Sequence, residues 1–182
     1  MPPILQTRRI TLNPLKSADS AAILKLRSNP EVMRYMDSDP CINLEDAEMF
    51  ICRQNEANKE NEGASWGIFL KDSAKVIGYA GFWRINHTHL RGELGYALDP
   101  DYWRSGLMTE ALHCIARYGF KELGLHSIEA NVNPNNSSSV ALLLKLGFKL
   151  EAHFRENFSF EGVFHDSLIY SLLEEDLKTN NA

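Results

Sequence analysis

The chain has 182 residues and a mass of 20.7 kDa, which fits one domain spanning residues 1–182, at most with a helical elaboration. With 44% hydrophobic and 24% charged residues it has ordinary globular usage, so general disorder is excluded as the default. A net charge of −5 and a pI of about 5.7 argue against broad nucleic-acid binding, which relies on many cationic phosphate contacts, yet leave room for one local anion site.

The stretch from Met1 to Arg9 has no apolar core of signal-peptide length, and no segment approaches the ~20 apolar residues of a membrane span. A cytoplasmic protein without a membrane partner is expected. Arg8–Leu15 alternates like a strand, ending at Pro14. Ser17 is placed to cap a helix carrying Ala21, Ala22, Leu24 and Leu26, with Asn29-Pro30 as its stop. A short helical piece over Glu31–Met36 leads into the polar run Asp37-Ser38-Asp39-Pro40. Asn43 then caps a helix over Leu44–Asn58, and Lys59–Gly63 reads as a charged loop.

Strands follow. Ser65–Lys71 and Lys75–Trp83 form a hairpin about Lys71-Asp72-Ser73, and Arg91–Leu98 adds a third strand. Met108, Ala111, Leu112, Ile115, Ala116, Gly119, Phe120 and Leu123 recur at helical spacing, so Leu107–Leu123 is a helix with one apolar face, closed by Gly124. Ser127–Asn133 is a strand and Asn136–Leu146 a helix ending at Gly147. Phe148–Phe158 and Val163–Leu173 pair as a long hairpin about Glu161-Gly162. This order, without internal repeats, implies an α/β (α+β) fold with a mixed sheet and helices on both faces.

The stretch Glu93 to Ala111 carries the chemistry. A strand ends at Asp99-Pro100, a basic glycine-containing loop follows, and a periodic helix begins. Such a loop aims backbone N–H groups and the positive end of a helix dipole at one point, which suits a phosphate or pyrophosphate. A P-loop would need Lys and Ser or Thr after its last glycine, and a dinucleotide fingerprint three glycines; neither is present around Gly106.

Tyr102-Trp103-Arg104-Ser105-Gly106-Leu107-Met108-Thr109-Glu110-Ala111 resembles the acetyl-CoA loop of the GNAT N-acetyltransferases, closest to their RimJ/RimL-like branch, which modifies protein N-termini. Gly92–Leu98 resembles the family's splayed central strand, and Asn133–Ser139 leading to Lys145-Leu146-Gly147-Phe148 its next strand–helix unit. The resemblance covers essentially the whole chain, through Phe164–Tyr170. It implies a mostly antiparallel sheet splayed at its middle. There are departures: Arg104 stands where a small residue is usual and Met108 where Gly or Ala is usual, while Leu144 replaces a frequent Glu and reads as core packing. Arg104 is expected to strengthen anion binding, and Met108 to begin the apolar helix face.

The resemblance further implies transfer of acetyl from acetyl-CoA to a primary amine by direct attack. That reaction needs a neutral amine, a donor to the thioester oxygen and a proton for the leaving thiolate. Glu93 is the first candidate base: in a strand it shares a face with Gly95 and Ala97, whereas Leu94, Tyr96 and Leu98 share the other. Its alternative is a solvated strand-edge glutamate paired with Arg91. Glu156, on the sixth strand of this reading and facing the substrate side, is the second candidate. Ser139 matches the family position that serves the departing sulfur; read by itself, Ser137-Ser138-Ser139 is a polar helix start. Tyr170 is a further hydroxyl, or a core-edge tyrosine.

Cofactor contacts implied by the resemblance are the backbone of Tyr96, Ala97 and Leu98 for pantetheine, and Arg104, Ser105, Gly106, Leu107, Met108 and Thr109 around the pyrophosphate. Asn133 and Asn136 are expected along the pantetheine arm, and Lys145 at a phosphate or simply in solvent. No metal is expected: His87 and His89 lack a third ligand at suitable spacing, and Cys41, Cys52 and Cys114 have neither metal nor redox spacing. The acceptor is an amine, either a protein N-terminus such as that of a ribosomal protein or a small amine such as a polyamine or antibiotic. The segments Asn29–Asn43 and Phe154–Val163 are placed on its side. The competing class is a non-catalytic acyl-CoA-binding module. The family often forms homodimers, though no stretch marks an interface.

Overall fold

The computed structural model describes residues 1–178 apart from Asp72 and Ala74. Its strands are β1 (Leu5–Gln6), β2 (Ile10–Asn13), β3 (Ala64–Leu70), β4 (Val76–Asn86), β5 (Arg91–Leu98), β6 (Ser127–Val132), β7 (Lys149–Phe160) and β8 (Val163–Leu173). They form one sheet in the order β1-β2-β3-β4-β5-β6-β8-β7, antiparallel throughout except for β5 beside β6. The hairpin expected about Lys71-Asp72-Ser73 joins β3 to β4, but Asp72 lies outside the described residues.

Helices α1 (Ser20–Arg27), α2 (Pro30–Met33) and α3 (Leu44–Glu60) precede the strand run, α4 (Leu107–Lys121) joins β5 to β6, and α5 (Ser137–Leu146) joins β6 to β7. Ile23, Leu26, Ala47 and Ile51 of α1 and α3 pack on one face of the sheet. Leu107, Ala111, Leu112, Ile115 and Leu143 of α4 and α5 pack on the other with Phe82, Leu94 and Ile128. The apolar stripe of α4 thus faces the sheet, as its 3.6-residue period requires. Helices flank both faces, as expected.

Local chemistry sets the boundaries. Asn43 caps α3, its Oδ1 accepting the Asp46 N–H at 3.0 Å, while Asp46 accepts the Asn43 N–H in return. The helix continues two residues beyond Asn58 and ends with Asn61 left-handed. Ser17 is not the cap of α1. A 3-10 turn over Ser17–Asp19 comes first, held by the Lys16 N–H donating to Asp19 Oδ2 at 2.7 Å. Asn29-Pro30 does stop α1, and Asn29 also starts α2 by accepting the Glu31 N–H at 2.9 Å. Glu161 (φ 49°) and Gly162 (φ 78°) make the two-residue turn between β7 and β8, left-handed at both positions as a type I′ turn requires. Leu144 does not pack in the core: it is 47% exposed, on the outward side of α5.

Candidate active site

The middle of the sheet opens here. β5 and β6 pair only at Arg91, Gly92 and Glu93, then diverge. Beyond the fork, β5 stays paired to β4 and β6 to β8. Asp99 N–H donates to Ile77 O at 2.8 Å, which fixes the ladder's phase, so Ala97 and Gly95 turn their backbone groups toward β4. Leu94, Tyr96 and Leu98 therefore turn theirs into the gap. The Leu98 carbonyl is taken by the Trp103 indole N–H at 2.7 Å, leaving the Leu98 N–H and both Tyr96 groups for a ligand. Ala97, expected to offer backbone contacts, instead faces β4 and is buried.

The loop after β5 closes one end of this gap. Asp99 accepts the Asp101 N–H at 3.1 Å and Lys25 Nζ at 2.7 Å, fixing the exit from the strand. Arg104 (φ 57°) and Gly106 (φ 79°) are both left-handed. The position where the family usually has a small residue is thus one whose backbone favours glycine, and Arg104 occupies it at a strain of about 1 kcal/mol. Gly106 is the N-cap of α4 and supplies no capping side chain, so the Met108 and Thr109 N–H groups are left for the loop, while the Leu107 N–H makes only a long contact to Ser105 Oγ at 3.5 Å. Arg104 and Ser105 are exposed beside them, whereas the Met108 side chain is buried in the core and contributes only its backbone.

An unforeseen cluster braces this loop. Glu110, buried in the first turn of α4, accepts the Thr7 hydroxyl at 2.5 Å, the Arg9 N–H at 2.8 Å and Arg9 Nε at 2.7 Å. Arg9 Nη1 in turn donates to the Ser105 carbonyl at 2.9 Å. Burial pushes the Glu110 carboxyl up, but the Thr7 and Arg9 donors together bring it below the ordinary glutamate value.

Glu93 stands at the fork. Its side chain is 11% exposed and pairs with Arg84 Nη2 at 2.6 Å, while the Arg84 side chain as a whole is 64% exposed. The carboxylate is enclosed, and the Arg84 guanidinium that pairs with it also lies over the Trp83 ring, 4.9 Å from its centroid. Arg91, the expected partner, binds Glu129 instead at 2.7 Å, reaching diagonally from β5 to the residue two positions beyond its β6 partner Ser127. Burial raises the Glu93 pKa, Arg84 pulls it back and neighbouring Glu129 raises it, with a net upward shift. Trp83 and Arg84 reach this point through a bulge in β4, where the register shifts between Phe82 and Arg84.

Across the gap, Ser139 lies in the first turn of α5. Its N–H donates to Asn136 Oδ1 at 3.1 Å and its Oγ lies 2.6 Å from the Tyr96 hydroxyl. Asn136 is thus the helix cap as well as an expected pantetheine contact. Asn133 Oδ1 accepts the Asn135 N–H at 2.9 Å, shaping the turn before α5, and Lys145 is exposed near that helix's far end. Tyr170 is 3% exposed and belongs to the core.

The segments expected on the acceptor side do meet. A cleft of about 420 Å³ lies between the α2 region and the β7–β8 tip, its lining including Arg34, Tyr35, Asp37, Asn133, Glu161 and His165, with Phe160 beside them. Burial pushes the Asp37 carboxyl up, partly offset by His165. Arg27 is buried beneath this wall and holds it, donating to Ser38 Oγ at 3.0 Å and the Asp39 carbonyl at 3.1 Å. Glu156 is exposed on β7, which is the seventh strand because Leu5–Gln6 adds one at the edge. It sits left-handed (φ 49°) in a bulge where Arg155, Glu156 and Asn157 oppose Asp166 alone. Asp166 ties the bulge down, accepting the Glu156 N–H at 2.9 Å and contacting His153 Nε2 at 2.7 Å. Glu156 does not line the cleft.

A sequence model described as an acetyltransferase (GNAT) domain matches residues 9–149, which include the fork, the loop and α5. The chain belongs to the GNAT acetyltransferase family. Among its relatives, a Bacillus subtilis protein called uncharacterized N-acetyltransferase YoaA is 36% identical over 172 residues, covering 94% of this chain and 97% of that one. The [ribosomal protein uS5]-alanine N-acetyltransferase of Escherichia coli is 32% identical over 127 residues (67% and 63% of the two chains). The spermidine N(1)-acetyltransferase of the same organism is 27% identical over 160 residues (87% and 83%). A GNAT-family acetyltransferase structure from Bacillus anthracis superposes with a TM-score of 0.84 at 25% identity, covering 94% of this chain and 99% of that one.

As a GNAT member the protein is an N-acetyltransferase, and acetyl-CoA is the family's acetyl donor. Several groups at this GNAT site escaped sequence reasoning. Arg84 and Trp83 approach Glu93 only through the β4 bulge, and Thr7 and Arg9 reach Glu110 across a hundred residues of chain. No local pattern encodes either contact. The Tyr96 hydroxyl was in reach, since strand alternation places it opposite Glu93, but its meeting with Ser139 needs the position of α5.

Proposed function

We propose that this GNAT member acetylates the α-amine of a peptide or protein N-terminus by direct attack on acetyl-CoA across the β5–β6 fork. In this reading, the Tyr96 and Leu98 N–H groups receive the thioester oxygen and pantetheine, and the Leu107–Thr109 N–H groups with Arg104 and Ser105 receive the pyrophosphate. The amine nitrogen bonds the thioester carbon, the C–S bond breaks with its electron pair on sulfur, and the amine proton passes to Glu93. Ser139 donates a hydrogen bond to the thiolate, whose thiol form has a pKa of roughly 8.5, so stabilisation by hydrogen bonding suffices.

The observation carrying the acceptor assignment is the mixed character of the cleft, where Arg34 and His165 stand with Asp37 and Glu161 beside Tyr35 and Phe160. A polyamine is cationic throughout and disfavours a guanidinium in its site, whereas a peptide offers apolar side chains and both donors and acceptors. An α-amine, with a pKa of about 7.7–8.0, is partly neutral near pH 7 and needs only a modest base; a lysine at ~10.4 needs far more. The uS5-alanine relative acts on an N-terminal residue by its name and supports this reading. The carboxylates Asp37 and Glu161 and the spermidine relative favour a polyamine as the second reading. Thiol release measured with unblocked peptides and with spermidine separates the two, peptides being the expected substrates.

The base assignment has its own test. Glu93 must be deprotonated to accept the amine proton, so kcat/KM rises with pH through its raised pKa. Arg84 lowers that pKa, and Arg84→Met is expected to move the acidic limb to higher pH. A limb that stays in place or moves down would assign it to another group.

A further inference from the structure

Tyr96 and Ser139 come from opposite sides of the fork, β5 and α5, and their hydroxyl oxygens are 2.6 Å apart. We infer that Tyr96 is a positioning residue for the leaving group: its hydroxyl donates to Ser139 Oγ and thereby directs the Ser139 proton at the departing sulfur. This rests on the reading of Ser139 given above.

Chemistry fixes the polarity of this bond. A phenol is a far stronger hydrogen-bond donor than an aliphatic alcohol, and a hydroxyl has one proton to give. If Ser139 donated to Tyr96, nothing would remain for the thiolate. With Tyr96 donating, Ser139 keeps its proton and gains polarity from an acceptor role filled behind it. The Tyr96 ring lies on the same strand face as Leu94 and Leu98, packed against the core, so it has little freedom to turn away. Burial holds the phenol at a pKa of about 12, so it stays protonated through turnover. No proton leaves Tyr96. The thiolate is stabilised by the Ser139 hydrogen bond and by the N-terminal dipole of α5, where Ser139 sits.

A double-mutant cycle read at saturating acetyl-CoA and peptide tests this. Tyr96→Phe keeps the ring and is expected to lower kcat about tenfold, in keeping with the loss of one polarising hydrogen bond, with the CoA dissociation constant unchanged. In a Ser139→Ala background the same substitution is expected to change kcat little, because Tyr96 then has nothing to direct. Equal losses in both backgrounds, or unchanged kcat in Tyr96→Phe alone, would overturn the inference and leave Ser139 as the thiolate's partner. A Ser139→Ala enzyme with undiminished kcat would overturn both readings.

Discussion

Glu93→Gln is expected to lower kcat by about 10²-fold at neutral pH while leaving CoA affinity unchanged. Glutamine keeps the shape and accepts a hydrogen bond from Arg84, so the fork should fold as before, but it cannot take a proton. The carboxylate is enclosed, its pKa is raised mainly by burial, and the side chain of its Arg84 partner is largely exposed. A glutamate serving only to pair a surface arginine would not be held in this way, and its loss would cost about 1 kcal/mol or less of stability and no turnover. Steady-state kcat with a responding acceptor, beside calorimetric CoA binding, measures both quantities. Full kcat in Glu93→Gln would remove Glu93 from the reaction. Glu156 would not inherit the role readily, since it is exposed, lies outside the acceptor cleft and is held through its backbone by Asp166.

The second large effect concerns stability. Glu110→Ala is expected to destabilise the protein by about 2–4 kcal/mol, because it removes three charge-assisted hydrogen bonds at once, from the Thr7 hydroxyl, the Arg9 amide and Arg9 Nε, while Thr7 keeps the Ile10 carbonyl and Arg9 the Ser105 carbonyl. For a domain of this size that corresponds to a fall in Tm of roughly 5–15 °C. Arg9 also braces the Ser105 carbonyl beside Gly106, so CoA binding should weaken about five- to tenfold as the loop loosens. The pH dependence has a definite sign. The folded-state pKa of Glu110 is lowered, so its stabilisation is present above the ordinary glutamate pKa and is lost as pH falls through the folded-state value. Wild-type stability should therefore decline on acidification more than that of Glu110→Ala. Thermal melts across pH check this, and parallel declines would deny Glu110 the role.

Much of this fold was legible in the chain because its signals are local. The apolar stripe of α4, the Asn43 cap of α3, Gly147 after α5 and the Glu161-Gly162 turn each depend on neighbours within a few residues. The loop was legible for the same reason: its glycine, its basic residue and the helix behind it are contiguous. What sequence could not give is what the sheet brings together. Arg84 displaces Arg91 as the partner of Glu93 because a bulge shifts the β4 register by one residue, and no spacing rule predicts that shift. Ala97 lost its expected backbone role through the phase of the β4–β5 ladder, which alternation along one strand leaves undetermined. Leu144 looked like core because apolar residues fill α5, yet the side of the helix it occupies faces outward.

The mixed cleft between the α2 region and the β7–β8 tip is what favours a peptide N-terminus as the acceptor, so the deciding measurement is a comparison of acceptors. Thiol release is followed from acetyl-CoA with a panel of unblocked peptides, with the same peptides Nα-blocked but carrying lysine, and with spermidine. Unblocked peptides are expected to exceed both other classes by about tenfold or more in kcat/KM, with acetyl found on the α-amine. Preference for spermidine, or equal rates with blocked and unblocked peptides, would contradict the peptide assignment.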